Sequence, residues 1–344
     1  MKNRRFLFLC VAFVPLLAVS ACKQQETLHL FTWSDYFSDE AIRGFESEAG
    51  VRVVIDTYEN NEDLVAKLQA GVTGYDLVVP SDYAVAQLIA LDLLEPIDRA
   101  NIPNFANLDP KFLDQYFDPG NVYSIPYLWG TAGIGYDATR VDPAPTSWAV
   151  LWDERYADRI NMLDDMRETM AVALKRLGYS VNATDPAQIE AARDLLIEQK
   201  PLVRSYTTET DALMLSGQVV LTHAWSGDVL RVQEEKPAWR YVVPDEGSTF
   251  FIDNLAIPKG TRHKALAERF IDYILRPEVI ASVTAFTRYA NCVPASIPLL
   301  PEHLRENPAV FPPDEVIRNL ETLRDLGEAE VRYGEAWTAI KAAQ

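Results

Sequence analysis

Cysteine is nearly absent. Cys10, Cys22 and Cys292 are the only three in 344 residues, so no disulfide framework can be built and an apolar core must hold the fold. Positive charge is also scarce, with 32 Lys plus Arg against 50 Asp plus Glu, a formal net charge of 32 − 50 = −18. Such a chain has no basic surface to release counterions from phosphates, which excludes a general nucleic-acid role and favours a cationic partner. The four histidines, His29, His223, His263 and His303, are scattered. They have no metal-ligand spacing and no nucleophile beside them. There is no G-x-S-x-G elbow, P-loop or G-x-G-x-x-G, so an enzyme is a weak reading and neither cofactor nor metal is expected. Internal repeats and low-complexity tracts are missing too.

The first residues carry an address. Lys2, Arg4 and Arg5 precede an apolar run over residues 6–19, and small residues lead into Val19-Ser20-Ala21-Cys22. This is the pattern of a secretory signal peptide over residues 1–21. Its end resembles the lipobox of bacterial lipoproteins, in which the cysteine, here Cys22, is lipidated and becomes the first mature residue. The run is short for a membrane span, which needs about 20 residues. Removing three positive charges leaves 29 − 50 = −21, and Cys292 remains as a small buried apolar side chain.

Hydrophobic content of 48% and charged content of 24% are ordinary globular values, and the length suits about two domains. Strand patterns over 27–33, 51–58 and 75–80 alternate with helical ones over 38–50, 62–70 and 85–94, implying βαβ units and a parallel sheet. Residues 96–119 read as a loop. Strands are expected over 121–135, 218–225 and 250–257, and helices over 165–177, 186–199, 264–286 (broken near Arg276-Pro277), 315–326 and 331–343. The fold class is α/β with two lobes.

In open parallel sheets ligands bind beyond the carboxyl ends of the strands. There the sequence repeatedly sets aromatics beside carboxylates: Trp33-Ser34-Asp35-Tyr36, Ser81-Asp82-Tyr83, Asp165 with Glu168, Trp225 with Asp228, and Phe251 with Asp253. Rings offer cation–π attraction and carboxylates offer charge-assisted hydrogen bonds, which together suit an organic ammonium ion. Each piece also has a plainer reading. Trp33 and Trp225 fit a core; Asp165 and Glu168 are spaced as a capping box; Asp228 can cap a helix. Asp35 and Asp82 suit solvated turns, the favoured reading for Asp82, and His223 suits a hydrogen-bonded core position. Asp253 is different, because it interrupts an apolar strand where an unpaired carboxylate is costly.

In this order, WSDY, PSDY, LDDxRE, WSGD, FIDNLAIP, RYAN and ENPAVFPPDEV resemble the polyamine-binding receptors of bacterial ABC importers over essentially the whole mature chain. The resemblance implies a two-lobed periplasmic-binding-protein (Venus flytrap) fold with several crossings between lobes. Lobe one would comprise 27–131 plus 253–291, and lobe two 132–252 plus 292–344. It implies ligand contacts at Trp33, Ser34, Asp35, Tyr36, Ser81, Tyr83, Asp165, Glu168, Trp225, Asp228, Phe251, Asp253 and Tyr289. WSGD is similar to the putrescine branch, whereas Asp165 with Glu168 is similar to the spermidine branch; a glutamine of the latter is here Leu323.

The expected partners are putrescine or spermidine, an inner-membrane permease, and a membrane held through lipid on Cys22. The expected form is a monomer in the periplasm or at the cell surface. Competing readings are a receptor for another organic cation or an amino acid, a polyamine sensor, and a lipoprotein enzyme. An amino-acid ligand would call for an arginine among the strand-end motifs that combine aromatics and carboxylates, and only Arg167 lies there, expected to face away.

Overall fold

The computed structural model describes residues 25–72 and 74–343; the expected signal peptide and Cys22 lie outside them. The first segment alternates β1 (Thr27–Thr32), α1 (Asp39–Ala49), β2 (Arg52–Thr57), α2 (Asn61–Gln69), β3 (Leu77–Val78) and α3 (Asp82–Ala90). Short 3-10 turns then lead to the long β4 (Ser124–Asp137). Next come β5 (Ile160–Met162), α4 (Met166–Arg176), α5 (Pro186–Gln199), β6 (Val203–Tyr206), α6 (Thr210–Ser216), β7 (Leu221–Trp225), α7 (Ser226–Glu235) and β8 (Trp239–Val242). The chain returns through β9 (Ser248–Ala256), α8 (Lys264–Ile274), α9 (Pro277–Thr287) and β10 (Ala290–Asn291). It ends with α10 (Glu302–Arg305), α11 (Asp314–Ile317), β11 (Leu320–Glu321) and α12 (Ala329–Ala342).

Local chemistry sets many of these bounds. Ser38 accepts from the Ala41 N–H at 3.1 Å to start α1, and Gly50, at φ 72°, stops it in the left-handed region. Asp185 caps α5, whose first residue is Pro186. Pro277 likewise opens α9, which divides the apolar run of residues 264–286 into two helices.

The sheet is mixed rather than wholly parallel. β1 pairs in parallel with β2 and β3, and β5 with β6 and β7, but β9 runs antiparallel to β3 and β4, and β4 antiparallel to β7. The departure has a topological cause: β4 and β9 cross between the two halves of the molecule. Up to Thr131, β4 pairs with β9; from Ala132 onward it pairs with β7 and β8.

Each half has its own core. Leu28, Leu30, Phe45, Leu255, Phe270 and Ile274 anchor the first, and Trp148, Ile160, Leu174, Leu221, Tyr333 and Ile340 the second. Burying each such side chain contributes about 1.5–3 kcal/mol. Cys292, Val293, Leu304 and Val310 pack into the first core, so the stretch from 292 to about 311 sits with the first half, not the second as expected. The chain crosses a third time before Leu326, which packs in the second core.

The helix expected over 315–326 is instead one turn, α11, followed by β11, which extends the start of β9 in parallel at Ser248 and Thr249. A tertiary partner overrides local propensity there.

Candidate ligand-binding site

The loops after β1, β3, β5 and β7 meet the crossing strand β9 around a cleft of about 130 Å³. From β1 come Trp33, Ser34, Asp35 and Tyr36, with Asp35 at φ 52° making the turn. The Trp33 indole donates to the Val79 carbonyl at 3.0 Å, and its ring lies 4.7 Å from Tyr58 and 5.9 Å, tilted 66°, from Trp225. These rings form one wall.

At the start of α3, Ser81 and Tyr83 face the cleft, held by Asn61, whose side-chain amide donates to Ser81 Oγ at 3.1 Å and Tyr83 Oη at 3.3 Å. Asp82 is not a solvated turn residue. It is 1% exposed, and it accepts from the backbone N–H groups of Tyr83 and Ile252 at 2.7 and 3.4 Å.

Asp165 caps α4 by accepting from the Glu168 N–H at 2.9 Å. The capping box is only half formed, because the Glu168 carboxylate accepts from Thr249 Oγ1 at 2.7 Å and lines the cleft. Trp225 precedes α7 and supplies no side-chain cap; Asp228 sits in the first turn, accepts from the Tyr289 hydroxyl at 3.0 Å, and does not cap. Phe251 and Asp253 come from β9, and Asp253 accepts from Ser81 Oγ at 2.6 Å and from the Tyr36 hydroxyl. At Gly130 a Cβ would meet Phe251 Cζ at 2.7 Å and Tyr289 Cδ1 at 3.0 Å, so a glycine in β4 lets both rings close over the strand. All thirteen expected contact residues line this one cleft.

Burial governs the electrostatics. It pushes the Asp253 carboxyl up to about 7, against the Ser81 and Tyr36 hydroxyls that favour its ionised form. Glu168 is raised by burial, opposed by Thr249, with the Asp253 charge adding to the rise. Asp165 is raised further by burial and by the charges of Glu62 and Glu168. Burial also raises Asp228, partly offset by Arg231.

Several lining residues went unread in the sequence, among them Tyr58, Asn61, Asp211 and Arg231, while Asp82, read as a turn residue, and Leu323 also line the cleft. Arg231, three residues beyond WSGD, is an arginine of the cleft that the motifs themselves do not contain. Arg167 is fully buried away from the cleft, donating to the Arg324 carbonyl at 3.0 Å and to Asn182 Oδ1 at 3.3 Å. Arg231 was legible in principle, since its i+3 spacing from Asp228 puts both on one helix face. His223 is buried, but neither ring nitrogen has a partner among the described residues; it meets Trp148 edge-on at 5.4 Å, and burial lowers its pKa to about 3, so it is neutral. Among the described residues no group of three or more His, Cys, Asp or Glu is disposed to hold a metal.

The profile of the family described as bacterial extracellular solute-binding protein matches residues 40–312. The chain belongs to that family. It is 36% identical to the spermidine/putrescine-binding periplasmic protein of Escherichia coli K12, with 100% of this chain and 99% of that protein covered. It superposes with TM-score 0.79 and 34% identity on the spermidine/putrescine ABC transporter substrate-binding protein PotD of Streptococcus pneumoniae, covering 92% of this chain and 99% of that one. The Tp0655 (TpPotD) lipoprotein of Treponema pallidum aligns with TM-score 0.83 and 29% identity, covering 92% and 99%. The α/β fold is thus the two-lobed fold of the periplasmic binding proteins, and the cleft lies where the chain crosses between lobes.

Proposed function

We propose that this solute-binding protein captures a linear polyamine, putrescine or spermidine, and delivers it to an ABC permease without chemical conversion. One observation carries the reading. Asp253 is buried in the cleft, and its side-chain hydrogen-bond donors are the neutral hydroxyls of Tyr36 and Ser81. A buried carboxylate without counter-charge is unfavourable, and a ligand ammonium is the group that relieves it. Trp33, Trp225, Phe251 and Tyr289 provide ring faces for the methylenes and for cation–π attraction. The names of the full-length relatives support the same ligand class. Ser34 and Asp35, exposed at the mouth, suit contact at the ligand's outer end.

Lobe one is proposed as 27–131 plus 253 to about 311, and lobe two as the remainder, hinged where β4 and β9 cross. Closure desolvates both ammonium groups, which the paired acids and hydroxyls offset. The chain is proposed to act as a monomer tethered by lipid on Cys22 at the periplasmic or outer face of a membrane; the lipobox supports the tether, as does the name lipoprotein carried by the Treponema relative. An amino-acid ligand is disfavoured, since the cleft arginine, Arg231, is already engaged by Asp211 and Asp228.

Thermal-shift screening against diamines, triamines, amino acids and betaines tests the reading. Diamines or triamines should raise the melting temperature by several degrees at concentrations well above Kd. A shift with amino acids or betaines only would reject it.

A further inference from the structure

The acids of the cleft form three stations. At the first, Asp165 lies beside Glu62 and Glu168, close enough for their charges to raise its pKa beyond what burial does. Asp253 is the second, and its charge is felt at both Glu168 and Asp82. From Asp253 two rings lead onward: Tyr36 donates to it and lies 5.8 Å from Tyr289, which donates to Asp228 at 3.0 Å. Asp228 and Asp211 make the third station, with Asp35 near enough to raise both.

Among the described residues only the third station is ion-paired with a cation of the chain; the Arg167 charge is felt at Asp165, Glu168 and Glu62, but that guanidinium pairs with Glu330 instead. Arg231, one turn along α7 from Asp228, places Nη2 3.0 Å from Asp211 Oδ2 and 3.2 Å from Asp228 Oδ1, and its Nε also donates to Asp211 at 3.3 Å. Its side chain is only 20% exposed. Among the described residues no ion pair forms at Asp165, Glu168 or Asp253.

We infer that Arg231 determines how many ammonium groups the ligand carries: its guanidinium fills the third carboxylate station and restricts the cleft to a diammonium. This rests on the polyamine reading above. A guanidinium does not deprotonate in a protein, so the station keeps its internal cation as the pH rises. A third ligand ammonium would have to break charge-assisted hydrogen bonds to both carboxylates and leave the arginine unpaired in a desolvated place. A diammonium needs only the first two stations. The site thereby rejects a longer amine by an internal competitor rather than by a wall, a repulsive element of specificity. A purely structural role, tying α6 to α7 through Asp211, would lower stability without moving the preference between amines.

Calorimetric titration of putrescine and spermidine against the wild-type protein, Arg231→Gln and Arg231→Lys distinguishes these. The Gln variant should improve spermidine relative to putrescine at least tenfold. The Lys variant, which keeps the cation, should stay within threefold of the wild-type ratio. Asp211→Asn provides a second measurement should the Gln variant fail to fold. It makes the station more positive, so the ratio should move toward putrescine. An unchanged ratio in the folded Gln variant, or in Asp211→Asn, overturns the inference while leaving the polyamine reading intact. Binding of neither amine by the wild-type protein removes both.

Discussion

Ser81 donates its hydroxyl to Asp253 Oδ1 at 2.6 Å although 172 residues of chain separate them. Tyr36 serves the other oxygen, so the carboxylate is fixed from two sides by neutral groups while its charge stays uncompensated. Asp253→Asn keeps the shape and removes the charge. It should weaken diamine binding by more than about 2 kcal/mol, roughly thirtyfold. It should leave the ligand-free melting temperature at pH 8 unchanged or higher, because a neutral amide is less costly to bury. Calorimetry with equal affinity in the variant would exclude Asp253 from the site.

The same burial makes capture pH-dependent. An acid whose folded pKa lies above its unfolded value binds more protons folded than unfolded. Asp253, at about 7 in the cleft, therefore makes the ligand-free protein lose stability as pH rises from about 4 toward 7. A bound ammonium favours the ionised carboxylate and reverses that trend. Affinity should fall about tenfold from pH 8 to pH 6 for each such acid, with protons released on binding near pH 6.5. Titration in two buffers of different ionisation enthalpy measures the release. Zero release with flat affinity would mean that these acids are already ionised in the empty cleft.

What could be read in advance followed from local rules. Ser38 and Gly50 bound α1, and Asp253 was conspicuous as a charge in an apolar strand, because caps and strand periodicity act over a few residues. The failures were tertiary. Asp82 resembles a turn aspartate until β9 packs over it, and residues 315–326 resemble a helix until Leu320 and Glu321 join the edge of β9. Arg231 resembles an ordinary exposed helix residue until α6 brings Asp211 against it. The antiparallel course of β4 and β9 likewise follows from crossing between lobes, which neither strand encodes alone.

The proposed lipid anchor makes a prediction of its own. If Cys22 is the first mature residue and carries lipid, cells grown with labelled palmitate should incorporate label into the wild-type protein and none into Cys22→Ser. Equal labelling, or none in either, would argue against the anchor. A single acyl chain binds membranes only marginally, so lasting attachment needs more than one; the wild-type protein should therefore partition almost wholly with detergent.

Gly227, the second residue of α7, explains how Tyr289 reaches Asp228. A Cβ built there would lie 2.6 Å from Tyr289 Cζ and 2.7 Å from the Thr287 carbonyl oxygen. The carbonyl is backbone at the end of α9, next to Arg288 at φ 66°, and cannot yield cheaply. Alanine is normally favoured over glycine in a helix by about 1 kcal/mol, yet here overpacking should dominate, at about 1–3 kcal/mol. Gly227→Ala should therefore melt several degrees lower and bind diamines more weakly, as Tyr289 shifts off Asp228 and Phe251. Among the described residues Gly334 in α12 has nothing within 4 Å of a Cβ placed on it, so Gly334→Ala should instead stabilise the fold by up to about 1 kcal/mol and leave affinity alone. If both alanines stabilise and neither changes affinity, the close approach at Gly227 does not shape the site. Opposite signs would tie the ring–carboxylate contact to the missing side chain.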